Sequence, residues 1–280
     1  MTPLPSGAAV AATSLRVGLL GTGRVAAHLA PALLAAGHRL AFVWGRRPAA
    51  AQALVAALSG PAVPVLAALV APLPPADVYL LALPDAALPA VLTAVPWPPG
   101  ALVAHLAGAV GLEVFAAAPG VRGGVFYPLQ TFSAGRAIAW PTVPLLIEAP
   151  AGADGPEPAA RAVLLALARS LSPLVHELAS AERLRLHVAA VFANNFTNHL
   201  LGIADALLAE AQLPASLLAP LIHETIAKAG SQPPFAAQTG PAVRHDAPTL
   251  AAHQAALAAH PSWLAVYKQL TQSIQNQSNT

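Results

Sequence analysis

The first 178 residues contain short apolar segments that alternate with alanine- and leucine-rich segments of helical period. Glycine, proline and aspartate separate these segments. Short apolar runs bounded by such residues are typical of buried strands, and their alternation with helical segments predicts a parallel α/β sheet. Helices are predicted directly after the first strand and at residues 49–58 and 154–171. The predicted strands cover residues 15–19, 37–44, 63–66, 78–83, 101–105, 125–132, 141–149 and 174–178.

From Ser180 onward the pattern predicts helices only. Residues 181–213 contain no proline and, apart from Gly202, no glycine, so we predict one long helix of about 30 residues. Shorter helices are predicted at residues 216–229, 246–259 and 261–274, with Asp246 as the N-cap of the second.

These patterns predict two domains. Residues 1–178 form a doubly wound α/β domain with a parallel sheet, preceded by a flexible tail at residues 1–14. Residues 179–280 form a smaller all-α domain around the long helix. That helix is apolar around most of its girth, which fits either a contact with a second copy or the core of a monomer. We expect a homodimer through the helical domain.

A glycine-rich motif follows the first predicted strand. Gly21, Gly23 and Ala26 form the pattern G-x-G-x-x-A, and a helix begins at once. Gly21 allows a tight turn, Gly23 leaves room for a pyrophosphate, and Ala26 lets helix and strand pack closely. Free N–H groups at the start of the helix then face the phosphates. In this strand-turn-helix context the motif predicts a dinucleotide-binding Rossmann domain.

The end of the second strand indicates which dinucleotide is bound. NAD sites usually place Asp or Glu there, about 20 residues after the motif, to accept from the ribose 2′-hydroxyl. This chain has Arg46 and Arg47 and no acid. Two guanidiniums suit the 2′-phosphate of NADP, although two arginines that begin a loop can also be merely solvated. We predict that NADP is bound by Gly21, Thr22, Gly23, Arg24, Val25, Arg46, Arg47, Leu83, Pro84 and Asp85.

Residues 83–85 belong to this set because they follow the predicted strand at residues 78–83. The carboxyl ends of parallel strands face the ligand crevice, so we expect this loop beside the nicotinamide. We interpret Asp85 as the N-cap of the next helix rather than as a catalytic acid.

Composition narrows the classes of function. Among 280 residues there are 14 basic and 12 acidic side chains, with a net charge of +2 and no basic run, which disfavours nucleic-acid binding. Although 56% of residues are hydrophobic, breakers interrupt each apolar run before the ~20 residues of a membrane span. The chain has no cysteine and no HExxH motif. We expect a soluble, cytoplasmic protein that lacks a secretion signal and a metal site.

The long helix contains the candidate catalytic residues. Hydride transfer to a carbonyl or imine needs one group that passes a proton. His187 lies early in the helix; at ~100° per residue, Asn194 and Asn198 fall within about 20° of its face and Asn195 about 80° away. A histidine followed by amides could donate a proton and orient a carbonyl. The alternative is a purely structural histidine.

A second polar cluster lies in the loop QTGPAVRHD, residues 238–246. Thr239 and Gly240 offer a hydroxyl and exposed backbone, and Arg244 could hold a carboxylate through two hydrogen bonds. The alternative is a capped turn between helices in which Arg244 pairs with Asp246. We predict Asn194, Thr239, Gly240 and Arg244 as substrate-binding residues.

Seven segments in order along the chain resemble one bacterial family, which joins a Rossmann-like NADP-binding domain to a helical domain. Its relatives are pyrroline-5-carboxylate reductases, 6-phosphogluconate and 3-hydroxyisobutyrate dehydrogenases, and alternative ketopantoate reductases. The segments are GLLGTGRVAAHLA, ADVYLLALPDAAL, FYPLQTFS, HVAAVFANNFTNHL, LIHETIAKA, QTGPAVRHDAPTLAAHQ and VYKQLTQSI.

The resemblance implies roles for particular residues. Related dehydrogenases use a lysine on the long helix with an asparagine one or two turns later, which implies His187 in the place of the lysine and Asn195 as its partner. Gln130, in the third segment, joins the predicted substrate-binding residues. The chain departs from the family twice: Tyr127 stands where histidine usually precedes PLQ, and Ala107 where serine usually precedes glycine.

Together these features predict an NADP(H)-dependent oxidoreductase. Its substrate would be a small carbonyl or imine compound that bears a carboxylate, and 2-dehydropantoate is a narrower candidate. A non-catalytic NADP-binding or sensing protein on the same fold is the rival hypothesis, because fold does not establish function. The intact phosphate motif disfavours a purely structural dimerisation module.

Overall fold

The computed structural model of the chain describes residues 14–149 and 160–278. The chain divides into two compact units, residues 1–191 and 192–280. The tail predicted at residues 1–14 lies outside the described residues except for Ser14, as does the predicted start of a helix at Asp154. The domain boundary predicted after residue 178 stays a prediction.

Within the described residues, eight strands form one sheet of the order β3-β2-β1-β4-β5-β6-β7-β8. All neighbouring strands are parallel except β6 and β7, so the sheet is mostly parallel and the predicted α/β class is confirmed. The strands are β1 (Arg16–Leu20), β2 (Arg39–Trp44), β3 (Val65–Leu66), β4 (Val78–Leu81), β5 (Leu102–His105), β6 (Arg122–Pro128), β7 (Leu145–Glu148) and β8 (Val175–Glu177).

The antiparallel pairing of β6 with β7 departs from the predicted parallel sheet. Between these strands the chain contains only one short 3-10 turn, Trp140–Thr142, instead of a helix. A parallel strand needs a long crossover, usually helical, whereas a shorter connection returns the chain in the opposite direction. Strand β6 also ends at Pro128, earlier than predicted, because proline cannot donate a further ladder hydrogen bond.

The helices of the first unit cover both faces of the sheet. Alternate strand side chains divide between two apolar clusters, one containing Val17 and Leu19 and the other Leu20 and Leu81. This division is the doubly wound arrangement that the strand pattern predicts. The helices are α1 (Arg24–Ala35), α2 (Pro48–Ala56), α3 (Leu88–Ala94), α4 (Ala160–Leu171) and α5 (Ser180–Ala190).

The segment predicted as one long helix is helical over residues 180–210 but not uniformly. Six residues, Val191–Phe196, form a π-helix directly after α5. Because a π-turn closes its hydrogen bond over five residues instead of four, each residue turns through less than 100°. The angles calculated for Asn194 and Asn195 on a regular α-helix are therefore wrong.

Helices make up the regular structure described in the second unit. The predicted N-cap is confirmed, since the Asp246 carboxylate accepts from the Thr249 backbone N–H at 3.2 Å. The last helix continues four residues beyond the predicted end, and Gln272 donates to Asn276 across one turn at 2.8 Å. The helices are α6 (Thr197–Glu210), α7 (Ala219–Ser231), α8 (Ala247–Ala256) and α9 (Pro261–Ser278). Among the described residues, no helix combines the length and apolarity that a membrane crossing requires.

Candidate active site

The phosphate motif lies in the turn between β1 and α1. Gly21 has a positive φ of +127°, and its N–H donates to the Trp44 carbonyl at 2.7 Å. A Cβ at Gly21 would lie 2.1 Å from the Ala82 carbonyl oxygen, inside van der Waals contact. Both the backbone conformation and the packing therefore require glycine at this position.

At position 23, neither the backbone conformation nor the packing within the protein requires glycine. Gly23 is the N-cap of α1, with φ of −77° and ψ of −173°, a conformation open to any residue. A Cβ there would meet no atom within 4 Å. No side chain caps α1 and its first turn contains no acid, so the helix start presents free N–H groups to open space. A phosphate fits this cradle.

Arg46 and Arg47 are exposed at the end of β2, beside this cradle. The loop is close to the motif, because a Cβ at Gly45 would lie 2.6 Å from the methyl group of Thr22. Among the described residues, neither guanidinium has an ion-pair partner, whereas Arg16, Arg161 and Arg183 are each paired with a carboxylate. Two unpaired guanidiniums at this position can bind an anion.

The loop after β4 places residues 83–85 at the same edge of the sheet. Asp85 is exposed and begins a 3-10 turn, Asp85–Ala87, for which no side chain forms a capping hydrogen bond. Helix α3 likewise has no side-chain cap. The interpretation of Asp85 as an N-cap is therefore wrong, since its carboxylate bonds neither helix start.

Tyr127 and His187 form a pair at the carboxyl ends of β5 and β6. The Tyr127 hydroxyl lies 3.0 Å from His187 Nδ1, and the two rings meet edge to face with centroids 5.8 Å apart. Burial raises the pKa of the Tyr127 phenol, the Asp85 carboxylate raises it further, and Arg183 opposes the shift. The phenol therefore keeps its proton at neutral pH.

Gly108 makes room for this pair. A Cβ at Gly108 would lie 2.4 Å from His187 Nδ1 and 2.9 Å from Tyr127 Cζ. The backbone after β5 therefore forms the wall against which both rings pack, and any side chain there would displace them.

Helix α5 is held on the sheet by a buried cation one turn before His187. The Arg183 side chain is 1% exposed, and it is ion-paired with Glu148 at the end of β7. Ser180 also binds this carboxylate, through its N–H at 2.9 Å and its hydroxyl at 2.8 Å. A second guanidinium nitrogen of Arg183 donates to the Val110 carbonyl. This network fixes the position of α5, and with it His187.

His105, the last residue of β5, is fully buried and stacks on Phe115 with centroids 5.7 Å apart. Burial, and secondly the charge of Arg183, lower the pKa of its imidazole to about 4. Its Nδ1 accepts from the Ala107 N–H at 3.2 Å. A neutral imidazole in these contacts shapes the turn toward Gly108.

The remaining predicted site residues occupy separate places. Gln130 is exposed, and its side-chain oxygen accepts from the Thr131 N–H at 2.7 Å. Asn194 and Asn195 are exposed within the π-helix. The loop that contains Thr239, Gly240 and Arg244 belongs to the second unit, and Gly240 has a φ of +110°. The catalytic role of Asn195 and the substrate contacts of the other residues stay predictions.

The alternative interpretation of residues 238–246, a capped turn in which Arg244 pairs with Asp246, is confirmed in part. Asp246 caps α8, and hydrogen bonds from the Thr249 side chain and backbone lower the pKa of its carboxyl, with a smaller contribution from the charge of Arg244. Among the described residues, Arg244 has no ion pair, so the expected pair with Asp246 is not formed.

Sequence reasoning missed the partners of His187. The sequence pattern marks Tyr127 only as a departure from the family, and it assigns no role to Gly108. Arg183 stands four residues before His187, and Glu148 is the acid that ends an apolar strand. The available signal was that Arg183 and Glu148, which have opposite charges, each stand next to an apolar segment and could therefore form a buried pair. Within residues 14–149 and 160–278, no cluster of three or more His, Cys, Asp or Glu side chains is placed to hold a metal ion.

Two family models match the chain in succession. A Rossmann-like domain matches residues 1–129, and a domain of unknown function, DUF2520, matches residues 149–274. No curated protein sequence matches the chain significantly.

Solved structures resemble the chain over nearly its whole length. The protein BF3122 from Bacteroides fragilis, provisionally named an NADP oxidoreductase, is 34% identical, with a TM-score of 0.82 over 94% of this chain and 98% of that one. A reductive aminase from Aspergillus terreus, in complex with NADPH and ethyl-5-oxohexanoate, is 20% identical, with a TM-score of 0.66 over 94% and 93% of the two chains. The 1-pyrroline-5-carboxylate reductase from Streptococcus pyogenes is 13% identical, with a TM-score of 0.58 over 95% and 98%. The last two share the fold. The chain is therefore an oxidoreductase with a nicotinamide cofactor, and it belongs to the family in which a Rossmann-like domain is followed by a DUF2520 domain.

Proposed function

We propose that the protein is an NADPH-dependent reductase of a small carbonyl or imine substrate that bears a carboxylate. The observation that supports this proposal is the order of groups along one edge of the sheet. Strands β2, β1, β4, β5 and β6 are parallel neighbours, so their carboxyl ends lie side by side, about 5 Å apart. These strand ends and the loops that follow them carry, in that order, Arg46 and Arg47, the phosphate motif, residues 83–85, Gly108 and Tyr127.

This order suits a dinucleotide laid across the edge. The arginines would bind the 2′-phosphate, the free N–H groups at the start of α1 the pyrophosphate, and the loop at residues 83–85 would line the nicotinamide. Thr22, Arg24 and Val25 complete the proposed cofactor contacts. The Tyr127 and His187 pair then lies beyond the nicotinamide, where a proton must reach the reduced substrate.

The cofactor, when bound, supplies the hydride. His187 supplies the proton that the substrate oxygen or nitrogen takes up, and Asn195 orients that atom. Arg244 and Thr239 hold the substrate carboxylate, with Gly240, Gln130 and Asn194 as further contacts. Among the possible substrates, 2-dehydropantoate is the narrowest candidate.

The experiment that tests the cofactor is a fluorescence titration of NADPH and NADH. We expect the wild-type protein to bind NADPH at least about tenfold more tightly, since charge-assisted pairs to the 2′-phosphate add more than ~1.4 kcal/mol. The double variant Arg46→Ala/Arg47→Ala should lose this preference. Arg169→Ala, which removes an exposed arginine from α4, is the matched control and should keep it. The proposal is refuted if neither NADPH nor NADH binds.

A second assay separates the reductase from the rival, a non-catalytic NADP-binding or sensing protein. NADPH oxidation is followed with a panel of 2-keto acids, with and without ammonia, that includes 2-dehydropantoate. Oxidation with any member supports the reductase. Binding of NADPH without oxidation across the panel would favour the sensor.

We also propose that the protein is a cytoplasmic homodimer, paired through its helical unit. Helix α6 has no buried residue, and the neighbouring Phe192 and Phe196 are 65% and 49% exposed. Leu200 and Leu201 extend this apolar surface. Exposed apolar patches of this kind mark contact surfaces, and a second copy offers the same apolar face in return. The cytoplasm is the compartment that suits a chain without cysteine.

A further inference from the structure

We propose that Tyr127 is the residue that delivers the proton to the substrate, and that His187 replaces the proton that Tyr127 gives up. This inference rests on the proposed function and refines the role given there to His187. It makes Tyr127 a catalytic residue and the histidine its proton source.

The hydrogens on the Tyr127 oxygen and on His187 Nδ1 determine what this pair can donate to a substrate. The phenol has one hydrogen, and its oxygen lies 3.0 Å from His187 Nδ1. With a neutral imidazole that carries its hydrogen on Nε2, the phenol donates to Nδ1 and has nothing left for a substrate. With an imidazolium, Nδ1–H donates to the phenol oxygen, and the phenol hydrogen is free to point elsewhere. A hydrogen on Nδ1 of His187 therefore makes Tyr127 an available donor.

The charged groups around the phenol favour this role. Asp85 approaches from the loop after β4, and Arg183 from α5 with its partner Glu148 at the end of β7. Burial and Asp85 both raise the pKa of Tyr127, with Arg183 opposing, so the phenol stays protonated until it meets a stronger base. An alkoxide or amide anion that develops as the substrate is reduced is such a base.

The step balances in atoms and electrons. As the substrate carbon accepts the hydride, the electron pair of its C=O or C=N bond moves to oxygen or nitrogen. That atom takes the phenol proton, and the Tyr127 oxygen takes the proton from Nδ1 of His187. The imidazolium becomes a neutral imidazole, which regains a proton from solvent.

The packing holds the pair in the geometry that this transfer needs. Gly108 leaves no space between its own backbone and the two rings, and the Arg183 network holds α5 one turn away.

The test compares three single variants and one double variant with the wild-type protein. Tyr127→Phe removes the phenol, His187→Gln removes the imidazole, and the double variant removes both. Tyr267→Phe is the matched control, because Tyr267 makes the same contact with His253, hydroxyl to Nδ1 at 2.9 Å with an edge-to-face ring, on exposed helices. The measurements are NADPH affinity and kcat with the best substrate of the panel.

We expect Tyr127→Phe to lower kcat by about 10²–10⁴, at least as much as His187→Gln, with NADPH affinity unchanged in both. The double variant should lose no more than the larger single loss, because the two groups act in one transfer. Tyr267→Phe should behave as wild type.

A readout without substrate accompanies the kinetics. Nitrogen NMR of the histidine side chains reports which ring nitrogen of His187 carries hydrogen. We expect Tyr127→Phe to change the Nδ1 signal of His187 and Tyr267→Phe to leave it unchanged.

The outcomes separate this inference from the function on which it rests. If Tyr127→Phe keeps kcat within about threefold of wild type while His187→Gln loses about 100-fold, the imidazole donates directly and the inference is overturned, whereas the reductase stands. If the wild-type protein binds no NADPH or oxidises none with the whole panel, both fail.

Discussion

Gly21 and Gly23 stand two residues apart and are required for different reasons. The first has a positive φ and touches the neighbouring strand through Ala82, whereas the second has an ordinary conformation and faces open space. The sequence motif does not show this difference, because it gives the residue type at each position but not the backbone conformation or the neighbouring atoms. The difference separates a requirement of folding from a requirement of ligand binding.

Gly23→Ala should therefore leave the thermal midpoint unchanged within a few degrees and weaken NADPH binding at least about tenfold, because the new methyl group fills space left for a phosphate. Gly21→Ala should instead lower the midpoint strongly, since its Cβ overlaps a carbonyl oxygen. Thermal denaturation and NADPH titration on both variants make the comparison. A destabilised Gly23→Ala protein would contradict it.

His105 makes the stability of the protein depend on pH. Because its pKa is lowered to about 4 from 6.5, the unfolded chain binds an extra proton between these values. Its contribution is complete above pH 6.5 and is lost as the pH falls toward 4, by at most about 3 kcal/mol. In His105→Asn the amide oxygen can still accept from Ala107, and this part of the pH dependence should disappear.

Urea denaturation of both proteins between pH 4 and pH 8 measures the effect. The difference between the two curves isolates His105, since other titrating groups contribute equally to both. Parallel curves across this range would show that the imidazole does not stay neutral in the folded state.

At the level of elements, α5 depends on one buried ion pair. Among the charged side chains, Arg183 is 1% and Glu148 13% exposed, whereas Arg161 and Glu177 are 62% and 43% exposed. Removing one partner of a buried pair leaves an uncompensated charge, and exposed pairs contribute little. The two pairs offer a direct comparison.

We expect Glu148→Gln to destabilise the protein by about 3–5 kcal/mol, and Glu177→Gln by less than about 1 kcal/mol. Urea denaturation measures both values, and NADPH affinity at low temperature checks that the phosphate motif survives. Equal small losses would mean that α5 is held on the sheet by its apolar contacts instead.

The elements themselves were largely predictable from periodicity. Each predicted strand is present, α1, α2 and the capped α8 lie where turn and cap signals placed them, and α4 ends at the predicted residue, Leu171. The reversal of β7 and the π-helix were not predictable, because the first depends on the path of a connection and the second on the packing of residues 191–196. The contact of Tyr127 with His187 joins residues 60 positions apart, and local patterns do not contain such contacts.

At the scale of the whole molecule, the carboxyl edge of the sheet gathers every group of the proposed cofactor site. The glycine motif by itself predicted the phosphate-binding centre of this site. The strand order adds that Arg46 and Arg47 lie on one side of the motif and residues 83–85 on the other. The predicted contacts from the helical unit, Asn195 and Arg244 above all, depend on tertiary arrangement and stay predictions.

The proposed homodimer has its own test. Light scattering after gel filtration should give about twice the chain mass of 28.2 kDa, and Phe192→Glu/Phe196→Glu should give a monomer because two carboxylates would be buried in the contact. Val70→Glu, at another exposed apolar residue, is the control and should remain dimeric. A wild-type monomer would refute the homodimer.

The exposed apolar surface around Phe192 and Phe196 also has a colloidal consequence. Charged residues make up only 9% of the chain and the net charge is +2, so a separated subunit has little electrostatic repulsion to keep it from its neighbours. Repulsion vanishes near the isoelectric point of 9.4. If the proposed homodimer covers this surface, its separation by dilution or mild denaturant at alkaline pH should therefore cause precipitation before unfolding.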